Sequence, residues 1–210
     1  MSLKLGVVMD PIGSIHYKKD TTLALLWAAQ DRGWELFYIE PDGLFLDAQH
    51  PMASVRPLTV HRNADHWFDL GDKTALRLTE LDVVLMRKDP PFDMEYIYAT
   101  YLLERAEQAG TLVVNRCQSL RDCNEKLFAT EFPECCPPLL VSRDMGRLRA
   151  FHSQHGDVIF KPLDGMGGNA IFRAQPGDPN VSVILETLTQ SGSQTLSLIH
   201  ISEPTRLDDI

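Results

Sequence analysis

The stretch with the clearest chemical content runs from Asp157 to Arg173 and reads DVIFKPLDGMGGNAIFR. Val158 to Phe160 is a short apolar run with two β-branched residues, enough for a buried strand. Lys161 stands at its end, and Pro162 is expected to stop the ladder. Gly165, Gly167 and Gly168 then give a loop free to take positive φ, with few side chains in the way. Ala170 to Arg173 resumes a strand. A lysine beside such a loop suits a polyphosphate, because backbone N–H groups can point inward at an anion while the ammonium adds a point charge. The spacing is not that of a Walker A loop, which carries Gly-Lys-Ser/Thr, nor of a dinucleotide fingerprint, which opens a helix at once. A hairpin with a glycine turn and an ordinary surface lysine is the competing reading.

Two other stretches carry charge at predicted strand ends. Met9-Asp10-Pro11 follows one apolar run, and Arg87-Lys88-Asp89 follows another. Ligands of an open parallel sheet sit at the carboxyl ends of its strands, so both stretches point to one crevice. Arg87 and Lys88 suit a carboxylate, which arginine grips bidentately; taken alone, Arg-Lys-Asp also fits an exposed charged turn. His61 with His66, and His152 with His155, are conceivable metal pairs. Surface histidines are the preferred reading, since no cysteine or acidic partner completes a ligand set.

Lys-Pro-Leu-Asp-Gly-Met-Gly-Gly resembles the glycine-rich loop of ATP-grasp ligases. With Asn124-Glu125-Lys126, the run Met86 to Phe92 (MRKDPPF) and the opening Gly6 to Pro11 (GVVMDP), the chain resembles the bacterial glutathione synthetase family from about Leu3 to about Thr195. That resemblance implies nucleotide binding by Lys126, Lys161, Asp164, Gly165, Met166, Gly167 and Gly168. The two lysines would neutralise the α- and β-phosphates under a covering loop; Asp164 would orient that loop or simply favour its turn. It implies substrate binding by Asp10, Arg87, Lys88 and Asp89. It implies ATP and Mg²⁺, with γ-glutamylcysteine and glycine joined through an acyl phosphate, and a homo-oligomer at full length. The family is longer than this chain, and its Mg²⁺ ligands are expected in the C-terminal part, so no metal ligand is assigned here. A D-alanine–D-alanine-type ligase is the alternative enzyme, and a non-catalytic binding fragment the alternative for the chain as it stands.

The elements that must position these residues alternate between strands and helices. Leu3–Met9 reads as a strand, a helix capped by Asp20 or Thr21 runs to about Arg32 with Gly33 as its stop, and Trp34–Glu40 is the next strand. Leu44–Leu46 and Leu58–Val60 could form an added antiparallel hairpin. Asp82–Met86 is a strand, Asp93 caps a helix to Ala109, Gly110 ends it, and Thr111–Asn115 is a strand. A short helix with Lys126, a strand at Leu139–Ser142, a helix at Met145–His155 and a last helix capped by Asn180 follow. The fold expected is α/β: a Rossmann-like parallel-sheet N-terminal (pre-ATP-grasp) domain over 1–122, then a partial ATP-grasp α+β domain over 123–195.

Composition sets the remaining bounds. The net charge of −9 disfavours non-specific nucleic-acid binding. No apolar run reaches membrane-spanning length, and the N-terminus reads as a strand with no secretory signal, so a cytoplasmic protein with no membrane partner is expected. Cys117, Cys123, Cys135 and Cys136 form no Cys-x-x-Cys pair, and read as reduced structural thiols. Leu196 to Arg206 reads LSLIHISEPTR, residue for residue the translation of a common transposase sequencing adapter. Residues 196–210 are therefore expected to be non-native.

Overall fold

The computed structural model describes residues 2–88, 91–165 and 170–201. The chain divides into two compact units, Met1–Arg121 and Asp122–Ile210.

The first unit is built on β1 (Lys4–Val8), α1 (Thr21–Gln30), β2 (Glu35–Ile39), β3 (Leu44–Asp47) and β4 (His50–Val60). These are followed by β5 (Phe68–Leu70), β6 (Thr74–Arg77), β7 (Val83–Met86), α2 (Met94–Gln108), β8 (Leu112–Val114) and α3 (Cys117–Asp122). The sheet runs β3-β4-β2-β1-β7-β8, with β5 and β6 also paired to β4. β1 pairs in parallel with β2 and β7, and β7 with β8. β4 closes the other side antiparallel to β2.

Strand alternation sends successive side chains to opposite faces, and each face has its own cover. Leu5, Val7 and Met9 join Leu23, Leu26 and Ala29 of α1 in one core. Val8, Val84 and Met86 join Ala99, Leu103 and Ala106 of α2 in the other. Leu23, Leu26 and Leu103 are wholly buried, each contributing about 1.5–3 kcal/mol. Asp20 caps α1 by accepting from the Leu23 N–H at 2.7 Å, and Asp93 caps α2 by accepting from the Tyr96 N–H at 2.9 Å. Gly33, at φ +75°, takes the left-handed turn that ends α1. A Cβ at Gly6 would lie 2.7 Å from Leu81 Cδ1, so any side chain there would displace the buried Leu81.

The hairpin differs from expectation. Leu44–Asp47 pairs with His50–Ala53, not with Leu58–Val60. The Leu58–Val60 end of β4 pairs with β5, and its Leu58 with Leu36 of β2. β4 is long because its two halves serve different neighbours, and β5 and β6 were not foreseen.

The second unit contains α4 (Glu125–Phe128), β9 (Leu139–Ser142), α5 (Met145–His155), β10 (Val158–Pro162), β11 (Phe172–Ala174), α6 (Val181–Leu188) and β12 (Leu196–His200). Its sheet runs β11-β10-β12-β9, and all three pairings are antiparallel. Val158, Phe160, Leu196 and Leu198 face Leu148 of α5 and Leu185 of α6 in a single core. Pro162 does not stop the ladder; it lies in β10 opposite Leu196. Ala170 is outside β11, at φ +54°, so the return strand begins at Phe172. Asn180 precedes α6 without a side-chain capping bond. Among the described residues no helix is long and apolar enough to cross a membrane.

Candidate active site

Asp10 and Arg87 stand just past the ends of the adjacent parallel strands β1 and β7, and the Arg87 N–H donates to the Val8 carbonyl at 2.7 Å. This places the next residue, Lys88, beside Asp10, with Lys88 Nζ 3.0 Å from Asp10 Oδ1 and 3.2 Å from Oδ2. The Arg87 guanidinium turns to the N-terminal turn of α1. Its Nε donates to Thr22 Oγ1 at 3.0 Å and its Nη2 to Thr21 Oγ1 at 2.8 Å. A cavity of about 150 Å³ lies here, lined by Asp10, Lys19, Thr21, Thr22 and Arg87 among others. Its lining combines the cations Lys19 and Arg87 with the carboxylates Asp10 and Asp20 and two hydroxyls, so it offers donors to a small acid alongside acceptors for its polar groups.

Thr21, Thr22 and Lys19 were not singled out from the sequence as site residues. The signal was available in part: Asp20-Thr21 marked the helix start, and the start of the helix after the first strand of a parallel sheet borders the ligand crevice. Tyr38 was missed as well. Its hydroxyl donates to Glu40 Oε1 at 2.9 Å and accepts from the Ile12 N–H at 3.3 Å. Burial, followed by the Glu40 contact, raises its ionisation well above the ordinary tyrosine range. It is therefore a neutral donor that fixes the turn after β1. Asp89 lies outside the described residues.

The second cluster belongs to the other unit. Asn124 caps α4, its Oδ1 accepting from the Lys126 and Leu127 N–H groups, while its Nδ2 donates to the Leu163 carbonyl at 3.0 Å. Lys126 Nζ donates to the Gly165 carbonyl and to Glu125 Oε1, both at 2.7 Å, with its side chain only 11% exposed. One short helix thus holds Leu163 and Gly165 by their carbonyls and sets a largely buried ammonium at Gly165. Lys161 is on β10, one residue after the buried Phe160. Alternation puts it on the face of the sheet away from the helices. Asp164 is exposed, whereas Gly165 is half-buried. Met166, Gly167 and Gly168 lie outside the described residues.

Two lysines flank a loop whose first glycine carbonyl is already tethered. An ammonium has three donors, and Lys126 has committed two of them to Gly165 and Glu125. The third, with Lys161, fits the charge of a polyphosphate.

His152 and His155 have separate partners. His152 is buried with its Nε2 3.3 Å from the Gln175 carbonyl, and His155 stacks near Phe151 and His200. All four cysteines are free. Burial, with Glu107 next, pushes the Cys117 thiol up to about 12.

The fold is that of ATP-grasp proteins. The chain superimposes on D-cycloserine synthetase DcsG with a TM-score of 0.61 at 14% identity, covering 94% of this chain and 59% of that one. It matches a RimK domain ATP-grasp protein from Sphaerobacter thermophilus with a TM-score of 0.60 at 17% identity, over 97% and 65% of the two chains. Sequence narrows the class. Residues 3–121 match the prokaryotic glutathione synthetase N-terminal domain, and residues 125–202 match the prokaryotic glutathione synthetase ATP-grasp domain. The chain belongs to the prokaryotic glutathione synthetase family. It is 60% identical over 196 residues to the glutathione synthetase of Pseudomonas aeruginosa and 61% identical over 196 residues to that of Pseudomonas putida. In both comparisons 93% of this chain is covered, but only 62% of the relative's length.

Proposed function

We propose that the protein to which this chain belongs is an ATP-dependent ligase that joins γ-glutamylcysteine and glycine, releasing ADP and phosphate through an acyl phosphate. The single observation that carries the reading is the 60% identity with a glutathione synthetase over 196 residues, with family matches over residues 3–121 and 125–202 that take in both clusters. The Asp10–Lys88 pair and Arg87 would bind the acid substrate. Lys126 and Lys161 would face the nucleotide phosphates, with residues 164–168 as a cover that keeps water from the acyl phosphate. Mg²⁺, when bound, would supply positive charge that stabilises the transferring phosphate; its ligands are assigned to the part of the family that this chain does not span. Catalysis would rest on positioning and electrostatics. A cytoplasmic location and a homo-oligomer belong to the same proposal.

The test is substrate-dependent ADP release by the full-length protein recovered from source DNA. Release with γ-glutamylcysteine plus glycine is expected. Release with D-alanine and none with that pair would overturn the reading in favour of a D-alanine–D-alanine-type ligase.

For residues 1–210 as they stand we propose a non-catalytic binding fragment: unit 1–122 for the acid substrate, an incomplete ATP-grasp unit over 123–195, and a non-native tail over 196–210. The support is the unbroken adapter reading of Leu196 to Arg206. The family match, by contrast, extends to residue 202. Reading the source DNA past the codon for Gln194 decides the tail, and glycine-dependent ligase activity from residues 1–210 alone would overturn the non-catalytic assignment.

A further inference from the structure

The hairpin between β4 and β5 gathers three side chains that no part of the ligase reading uses. Thr59 and Asp69 are paired across the two strands, and the His61 N–H continues the ladder by donating to the Trp67 carbonyl at 2.8 Å. Thr59, His61 and Asp69 therefore share the solvent side, opposite Leu58 and Val60 in the core. The loop returns His66 to the same place. Its ring stacks on that of His61 with centroids 5.4 Å apart and planes at 20°. Asp69 then sits between the two imidazoles, with Oδ2 2.7 Å from His61 Nε2 and Oδ1 2.9 Å from His66 Nε2. The acidic partner judged absent from the sequence is present, contributed by a strand that the sequence did not reveal.

We propose that His61, His66 and Asp69 form a binding site for a divalent first-row transition cation of the Zn²⁺ class. Their ligand atoms all lie within 4.8 Å of one another, close enough for small side-chain rotations to bring two nitrogens and one oxygen to about 2.0–2.2 Å from a single ion. Two imidazoles and a carboxylate select Zn²⁺, Ni²⁺ or Cu²⁺ over Mg²⁺ and Ca²⁺, which favour oxygen donors. Both carboxylate oxygens now accept from imidazole Nε2–H groups, so a cation would replace those protons and take up the same lone pairs.

The hairpin base is held from a second element, which keeps the donors in place without a metal. Gln30 of α1 brackets Val60, donating to its carbonyl and accepting from its N–H, both at 2.8 Å. Trp27 Nε1 donates to the His61 carbonyl at 3.1 Å. Arg62, the nearest cation in sequence, is drawn off to Asp31 by a two-pronged contact of 2.6 and 3.2 Å. Its charge is thus neutralised away from the site. Inside the loop, Asn63 Oδ1 accepts from the Asp65 N–H at 3.0 Å and the Asn63 carbonyl from the His66 N–H at 3.3 Å, fixing the residue that carries the second imidazole. The three side chains are half-exposed or exposed, so an ion would keep coordination positions open to water or to an external ligand.

The experiment is a calorimetric ZnCl₂ titration of the 210-residue chain under reducing conditions, repeated with MgCl₂. It is run in parallel on His61→Ala, His66→Ala, Asp69→Asn and a His155→Ala control, each first checked for an unchanged tryptophan emission spectrum. A saturable Zn²⁺ site near one equivalent is expected, weakened about tenfold or more by each of the three site variants, unchanged in His155→Ala and indifferent to Mg²⁺. If one of the site variants is misfolded, His61→Gln and His66→Gln replace the alanines. No saturable binding below about 0.1 mM, or binding that survives in the His61 and His66 variants, would overturn the proposal. So would loss in those two with none in Asp69→Asn, since the carboxylate would then not be a ligand.

Discussion

Replacing Leu198 by alanine tests whether β12 is an interior strand of the second unit. Leu198 is wholly buried and stands opposite Phe160 on β10 and Leu140 on β9. Its core is small, built from seven fully buried residues, four of them leucines: two from β12 and one each from α5 and α6. Deleting a buried leucine down to alanine costs about 2–5 kcal/mol where the site cannot collapse. Neighbours on both sides make collapse difficult here. A unit spanning 122–210 carries roughly 4–13 kcal/mol in total, so the substitution removes a large share of it. The two units carry separate reporters. All three tryptophans, Trp27, Trp34 and Trp67, lie in the first unit, so tryptophan emission follows that unit, whereas far-ultraviolet circular dichroism follows both. In urea, Leu198→Ala should move the component of the dichroism transition that tryptophan does not share by about 1–3 M, with the tryptophan transition unchanged. A shift worth less than about 1 kcal/mol, with an unchanged slope, would refute the interior placement.

If the full-length protein is the proposed ligase, Arg87→Lys should raise the KM for the acid substrate about tenfold or more with a smaller effect on kcat, because lysine cannot span Thr21 and Thr22 while presenting an outer edge to a ligand; steady-state kinetics checks this. Lys126→Ala should weaken ATP binding by about 1.5–3 kcal/mol, since it removes both a largely buried cation and the tether on Gly165, and an equilibrium nucleotide-binding assay reads the loss. In the native chain a thiol reagent at neutral pH should modify Cys123 and Cys135 quickly and spare Cys117, whose thiol is buried and held at about 12; urea should release it, and quick labelling of Cys117 in the folded state would contradict its burial. Asp157 is held below the usual carboxylate range chiefly by its hydrogen bonds from Arg173. A depressed folded pKa gives stability that is present above the unfolded value near 3.8 and is lost as pH falls through the lower folded one, so Asp157→Asn should flatten the acid limb of the second unit's urea midpoint below about pH 4.

The parallel core was legible because its signals are local. β1, β2 and β7 are apolar runs, Asp20 and Asp93 are capping residues placed before apolar periodicity, and Gly33 and Gly110 mark helix ends with positive φ. Of β4 only the Leu58–Val60 end was legible, because its pattern breaks before that point. Pro51, Ala53 and Val55 are buried, and then Leu58 and Val60, so the parity of the inward positions changes across Arg56-Pro57. The first half pairs with β3 and β6, and the second with β2 and β5. A single alternating window sees no strand in such a sequence. The β3–β4 turn hid as well: Ala48 and Gln49 take φ of 43° and 77°, a conformation ordinarily signalled by Asn or Gly. Missing β5 also hid Asp69, and with it the third donor of the histidine cluster. At the strand ends, residue type and position indicated Asp10, Arg87 and Lys88, but Thr21 and Thr22 needed the three-dimensional packing of α1 against β7.

The tail shows how little a sheet asks of an interior strand. Leu-Ser-Leu-Ile-His puts Leu196 and Leu198 on the side of α5 and α6, and its backbone satisfies β10 on one edge and β9 on the other. Those demands are alternation and β-compatible side chains, and a translated adapter meets them as readily as a natural strand. The ladder is therefore sound evidence about the physics of the second unit and none about the ancestry of residues 196–200. The chemistry discriminates where the packing does not. Lys126 on Gly165, and Asn124 on Leu163, are specific donors reaching specific carbonyls across 39 residues of sequence, a match that generic strand pairing does not produce. Both contacts lie outside residues 196–210, as does the Asp10–Lys88–Arg87 cluster, so the proposed ligase reading, carried by the 60% identity over 196 residues, does not depend on the origin of the tail.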